Sequence, residues 1–108
     1  MSHQHLDNIN IETNIRGFQS RVLVDLESAL IKQLILNPND KIPPHQVPVD
    51  VTFFVLEGEG YITIGANRHE VKQHSVVICP RNTVMNVEAK NNRFTFLNIK
   101  TPGFKPQK

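Results

Sequence analysis

Cysteine is nearly absent from this 108-residue chain, and long apolar runs are missing altogether. The single cysteine, Cys79, has no partner for an internal disulfide, so nothing indicates an oxidising compartment and we expect a cytoplasmic protein. No apolar stretch approaches the length that crosses a bilayer, and the N terminus lacks a basic start followed by an apolar run. The sequence therefore predicts a soluble protein without a membrane partner.

Blocks of like charge are also missing. Lys and Arg number 12 against 10 Asp and Glu, and these charges are scattered along the whole chain. A nucleic-acid-binding surface normally needs a basic cluster, so nucleic acid is not an expected partner. The length suits one compact domain with a modest apolar core.

What the sequence does contain is a series of short runs rich in β-branched and aromatic residues, such as DVTFFVLEG, SVVIC and RFTFLNIK. Turn-forming stretches such as EGEG and CPRN separate them, and this alternation is typical of an all-β sandwich or barrel. We place the barrel at residues 18–102. A partly ordered N-terminal segment at residues 1–17 and a C-terminal tail at residues 103–108 flank it.

Two stretches, HQVPVDVTFFVLEGEG from His45 and VVICPRNTVMNV from Val76, carry a more specific signal. Their spacing resembles that of the two signature motifs of the cupin superfamily, and the chain is similar to the small single-domain cupins over about residues 29–102. The resemblance implies a β-barrel of the double-stranded β-helix, jelly-roll type. The positions that match the motifs are Asn39, His45, Val47, Val51 and Gly58, then His74, Pro80, Asn82 and Met85.

In the family, four of these positions hold the ligands of a divalent metal, and here they carry His45, Val47, Val51 and Met85. A metal site needs three or four donors such as imidazole nitrogen or carboxylate oxygen. One imidazole and one thioether do not meet that need, so we expect no metal and no cofactor. The ordinary metal-binding cupin enzyme stays as the second alternative.

Residues two apart on a strand face the same side, so Val47, Val51 and Phe53 share one face. The resemblance places that face in the barrel cavity with His45 and Met85. We expect these five residues to line a mostly apolar pocket for a small apolar or amphipathic compound. The favoured function is a metal-free binding or accessory module. A barrel filled by its own side chains is the competing structural interpretation.

His45 also supports a catalytic alternative, because an imidazole transfers protons near neutral pH without a metal. Some metal-free cupins, including certain sugar epimerases, use a histidine base and a tyrosine acid. Tyr61, the only tyrosine, is the candidate acid if its side chain turns inward. Asp50 should face away from His45 by strand parity. An isomerase-like or epimerase-like enzyme is therefore the first alternative to the binding module.

The stretch VTFFVL, residues 51–56, is apolar at positions that face both sides of a strand. One small domain does not easily bury both faces. This pattern, with the resemblance to small cupins, predicts a homodimer in which one face forms the interface.

Overall fold

The computed structural model describes residues 3–104, and the chain there forms ten strands and one short 3-10 helix. The tail predicted at residues 103–108 lies largely outside the described residues. No described helix is long and apolar enough to span a membrane. The elements are the helix Leu6–Asn8 and the strands β1 (Glu12–Thr13), β2 (Gln19–Asp25), β3 (Leu30–Leu36), β4 (Lys41–His45), β5 (Asp50–Glu57), β6 (Gly60–Ile64), β7 (Asn67–Val71), β8 (Val76–Cys79), β9 (Met85–Ala89) and β10 (Phe94–Thr101).

The strands form two antiparallel sheets. One has six strands in the order β1-β2-β3-β10-β5-β8, and the other has four in the order β4-β9-β6-β7. Side chains from both sheets meet in one apolar core, which joins Val51 and Phe96 of the first sheet to Ile62 and Val87 of the second. The predicted all-β jelly-roll fold is thereby confirmed.

Burial along the strands follows the two-residue period of a sheet with one covered face. In β5, the buried residues are Val51, Phe53 and Val55, and the residues between them are half-buried. Phe96 is fully buried, and its ring centroid lies 5.7 Å from that of Phe53 and 5.4 Å from that of Phe94. These three rings pack against one another within the apolar core.

The N-terminal segment is attached to the barrel through β1, which pairs with β2 so that Thr13 lies opposite Gln19. The turn between them is held by Asn14, whose Oδ1 accepts from the backbone N–H groups of Arg16 at 3.0 Å and Phe18 at 2.9 Å. Arg21 also donates from Nε to the backbone oxygen of Ile9 at 2.9 Å. The β1 hairpin is thus fixed at the edge of the larger sheet, next to the barrel opening.

Candidate functional site

A cavity of about 310 Å³ lies between the two sheets and is bordered by the β1 hairpin. Its apolar floor is made by strands of both sheets, which contribute Leu34, Ile42, Phe53, Val87 and Phe96. The side chains nearer its opening are mostly polar or charged: Glu12, Asn14, Arg16, Lys32, His45, Asn98 and Lys100.

Strand register explains how the polar residues come together. Asn98 of β10 lies opposite Lys32 of β3 on one side and opposite Phe53 of β5 on the other. The neighbouring inward position on β10, two residues on, is Lys100. The inner face of the larger sheet therefore changes from apolar at Phe96 to polar at Asn98 and Lys100 along a single strand.

Lys100 is the most unusual group of the site. Its side chain is only 9% exposed and lies in register between the buried residues Leu30 and Val51. It makes no hydrogen bond or ion pair with any residue in the described range 3–104. Burial, reinforced by the positive charges of Lys32 and Arg16, lowers the pKa of Lys100 to about 8.

His45 ends β4 and is half-buried at the cavity. Its Nδ1 lies 2.9 Å from the backbone oxygen of Pro43, and because a carbonyl oxygen only accepts, Nδ1 carries the proton of this bond. The pKa of His45 is lowered, chiefly by burial. The bond to Pro43 raises this pKa in part, and the positive charges of Arg16 and Lys100 lower it further. A neutral ring therefore keeps the lone pair on Nε2, which is the form that accepts a proton.

The structure brings two of the five predicted pocket residues, His45 and Phe53, to the cavity. Val47, Val51 and Met85 are instead buried in the apolar core, with exposures of 6%, 0% and 1%. The inward orientation of Val51 and Met85 agrees with strand parity, whereas Val47 lies in the connection between β4 and β5; all three side chains are packed against other apolar residues of the core. The filled-barrel interpretation thus describes these three side chains. The cavity lies beside them, because Met85 is opposite His45 and Val51 is opposite Lys100 in strand register.

Tyr61 does not meet the condition for acting with His45, because its side chain turns outward. Its neighbours Gly60 and Ile62 are buried in the barrel, so strand alternation directs Tyr61 to the opposite face. There the guanidinium carbon of Arg68 lies 3.7 Å from the ring centroid, in a cation–π contact. The proposed histidine–tyrosine pair is not assembled in this structure.

Asp50, expected to face away from His45, does so. Its Oδ1 accepts from the backbone N–H of Arg81 at 2.9 Å, and its Oδ2 accepts from Nη2 of the same residue at 3.5 Å. These two hydrogen bonds, the backbone one first, and the positive charge of the guanidinium lower the pKa of Asp50. Its carboxylate is thus engaged outside the cavity.

The donor set does not fit the divalent metal of ordinary cupins. Among residues 3–104, no three or more His, Cys, Asp or Glu side chains are grouped so that they could hold a metal ion. Around His45, the other motif positions carry two isopropyl groups and one buried thioether, and such a wall provides neither ligands nor partners for metal-bound water.

We predict that the protein purified without added metal contains far less than one equivalent of zinc, iron, manganese, nickel or copper. Elemental analysis measures this directly, and a chelator should leave the thermal midpoint unchanged. His45→Ala is the informative comparison. Stoichiometric metal in the wild type that disappears in this variant would contradict the prediction.

The cationic residues of the cavity, Arg16, Lys32 and Lys100, were not predicted as site residues. A signal for two of them exists in the sequence: Lys32 stands two residues from Leu30 and Leu34, and Lys100 stands at the inward parity of β10. A lysine at an inward strand position is unusual unless it borders a cavity or has a partner. For Arg16, which reaches the cavity through the β1 hairpin, no comparable local signal is present.

Comparison with known proteins agrees with this architecture of a small antiparallel barrel. Residues 33–99 match the family described as Cupin domain, and the chain belongs to this family. No curated protein matches it.

Solved structures extend the likeness to nearly the whole chain. KdgF from Halomonas sp. superimposes with a TM-score of 0.89 at 12% identity, covering 97% of this chain and 96% of that chain. An RmlC-like cupin from Shewanella frigidimarina superimposes with a TM-score of 0.86 at 11% identity, covering 94% of this chain and 91% of that chain. The polyketide cyclase RemF from Streptomyces resistomycificus superimposes with a TM-score of 0.86 at 19% identity, covering 98% of this chain and 82% of that chain. At such identities the likeness shows the fold alone.

Proposed function

We propose that this cupin binds a small amphipathic organic anion, a carboxylate, without the help of a metal. The carrying observation is the composition of the cavity wall, where Arg16, Lys32 and Lys100 lie above an apolar floor. Within the described residues, the only carboxylate on that wall is Glu12. A ligand with an apolar body and one negative end matches both parts of the cavity.

Lys32 and Arg16 are the proposed partners of the carboxylate. Neither side chain forms an ion pair with another residue in the range 3–104. Lys32 lies beside Asn98, whose amide offers further hydrogen-bond donors at the same level. Lys32 is half-buried, so water screens its charge less than that of a surface lysine, and it should bind an anion more strongly; Arg16 is exposed and adds a second, more weakly held contact at the cavity opening. The volume of about 310 Å³ suits a ligand at the small end of the usual range.

The binding test uses 4-phenylbutanoate, which has an apolar ring and a carboxylate, and its neutral counterpart 4-phenylbutanamide. We expect titration calorimetry to detect the acid and to find the amide at least about tenfold weaker, the loss of one charge-assisted contact. Lys32→Met should weaken the acid by a similar factor. Lys72→Met, which removes an exposed lysine outside the cavity, is the matched control. Equal affinity for acid and amide would contradict the proposal.

A catalytic role for His45 remains the alternative function, and its ring supports it. The bond to Pro43 leaves Nε2 as a proton acceptor on the wall of the same cavity. This arrangement suits proton transfer to or from a bound ligand, as an isomerase-like reaction requires. It does not depend on Tyr61.

We also propose that the protein is a homodimer joined through the outer face of the larger sheet. Register places Phe54 between Val76 and Leu97, and it places Thr52 between Ile78 and Ile99. Two adjacent cross-strand rows thus form one apolar patch. Val76 and Ile78 are 58% and 64% exposed, and they lie on β8, an edge strand of the sheet. A second copy of the same patch would cover this surface with matching chemistry.

Sedimentation velocity at micromolar concentration should give about twice the chain mass of 12.3 kDa. Ile78→Glu should shift the species to the monomer mass, because it places a charge in the apolar patch. Val84→Glu is the matched control, since Val84 is 46% exposed but precedes β9 of the other sheet. A monomeric wild type would contradict the proposal.

A further inference from the structure

We propose that Lys100 is an amine nucleophile that forms an imine with the carbonyl group of an oxo acid bound in the cavity. The inference rests on the proposed carboxylate binding and narrows the ligand class from carboxylates to those that also carry an aldehyde or ketone. It gives the cavity a covalent chemistry that requires no metal.

The surroundings of Lys100 differ from those of a structural lysine. A buried structural lysine normally pairs with a carboxylate. Even the half-buried Lys90 pairs with Glu70 and Glu59. Lys100 is buried, with an exposure of only 9%, yet it has no carboxylate partner among residues 3–104. Among the described residues, no side-chain nitrogen without a hydrogen-bond partner is fully enclosed. The unpartnered Nζ of Lys100 is therefore not fully enclosed, and it opens onto the cavity that Lys100 lines.

This environment favours the neutral amine, which is the nucleophilic form. Apolar neighbours remove water from Nζ, and the positive charges of Lys32 and Arg16 oppose a further positive charge nearby. With its pKa lowered to about 8, roughly a tenth of Lys100 is unprotonated at pH 7. For an ordinary lysine this fraction is roughly one in three thousand.

The other cations fix the position of the ligand. Lys32 and Lys100 line the same cavity from neighbouring positions of β3 and β10, so a carboxylate bound at Lys32 would leave its oxo carbon within the part of the cavity next to Lys100. Asn98 lies opposite Lys32 and two residues before Lys100 on the same face of the sheet, and its amide can donate to the carbonyl oxygen. Such positioning converts an encounter between two molecules into a reaction within one complex.

The reaction balances without an oxidant or a reductant. The Nζ lone pair attacks the carbonyl carbon, the C=O electron pair moves to oxygen, and a proton passes from nitrogen to oxygen to give the carbinolamine. The nitrogen lone pair then forms the C=N bond while the hydroxyl group leaves with a proton as water. His45 Nε2, with its free lone pair, can carry these protons within the same cavity.

Reductive trapping tests the proposal on the full chain. The protein is incubated with 2-oxo-4-phenylbutanoate and cyanoborohydride, which reduces the imine to a stable secondary amine. Intact-mass measurement should show one adduct, equal to the probe less one oxygen atom, and peptide mapping should locate it at Lys100. The expected labelling rate at Lys100 exceeds that of any other amine by at least about tenfold, as expected for a desolvated lysine.

Three variants sharpen the result. Lys100→Arg keeps a positive charge but removes the nucleophile, so the specific adduct should disappear. Lys32→Met should slow labelling of Lys100, because the carboxylate is then held less firmly. Lys72→Arg should be labelled at Lys100 like the wild type. Adducts spread evenly over surface lysines of the wild type would overturn the proposal even if a variant failed to fold.

The carboxylate 4-phenylbutanoate, which lacks the carbonyl, separates the two proposals. If it binds while Lys100 stays unlabelled by the oxo acid, imine formation is refuted and carboxylate binding stands. If it does not bind but Lys100 is labelled selectively, carboxylate binding is refuted and the reactive amine stands. Absence of both binding and labelling refutes both proposals.

Discussion

Gly58→Ala is expected to lower the free energy of unfolding by roughly 3 kcal/mol or more. Gly58 has a φ of +84°, where an alanine costs about 1–3 kcal/mol in backbone strain. An added Cβ would also lie 2.1 Å from the backbone oxygen of Arg93 and 2.6 Å from Oδ1 of Asn92. Because the closest atom belongs to the backbone, the β5–β6 turn and the start of β10 must move apart.

Gly65→Ala is the matched control for this effect. Gly65 has a φ of +59°, yet its added Cβ would meet no atom closer than 3.9 Å, a methyl carbon of Thr83. This variant therefore carries the backbone strain without the collision, and we expect it to cost about 1–2 kcal/mol. Urea unfolding of both variants measures the difference through the midpoint and slope. Equal losses would show that steric contact at Gly58 contributes nothing.

Gly58 also shows why the fold could be predicted from the sequence. It ends the motif VLEG, where an inward-facing apolar strand gives way to a turn that needs positive φ. Asn82, another motif position, likewise has a φ of +60°. Strand alternation and turn chemistry are local properties, so a single sequence carries them.

The charged wall of the cavity depends on contacts between distant parts of the chain. Lys32 meets Asn98 only through the register of β3 and β10. In the run ALIKQLIL its facing is ambiguous, because both Lys32 and the next residue, Gln33, are polar. Gln33 turns out to be buried as well, with its Oε1 accepting from Nη1 of Arg21 at 2.8 Å.

Besides this dependence on long-range register, a second physical reason explains why the predicted pocket did not include the charged wall of the cavity. Motif spacing identifies which positions face inward, but it does not tell how much of the interior is filled. Val51 and Met85 face inward and are completely packed, whereas Phe53 borders open space. Where a cavity begins depends on the summed volume of side chains from both sheets and on the β1 hairpin at its edge. A prediction based on strand faces alone therefore gave a more apolar pocket than the structure contains.

Lys100→Met is expected to stabilise the protein at pH 7 while removing the proposed nucleophile. The charged form of Lys100 is disfavoured in the folded state, where its pKa is about 8 against 10.5 for the ordinary side chain. The unfolded chain therefore binds more protons at this site between pH 8 and 10.5, and stability rises with pH through that window. The resulting penalty is of the order of 3 kcal/mol at pH 7 and about 1 kcal/mol at pH 10.

Methionine has a similar length and no charge, so it should remove this penalty and fill the space between Leu30 and Val51. Urea unfolding of wild type and variant at pH 7 and pH 10 measures the effect, and Lys72→Met controls for the loss of one surface lysine. We expect a gain of about 1–3 kcal/mol at pH 7 that shrinks markedly at pH 10. A loss of stability at pH 7, or an equal gain at both pH values, would show that burial does not disfavour the charge on Lys100. A residue whose removal stabilises the fold is retained at a cost in stability, which is the pattern expected of a functional group rather than of a structural one.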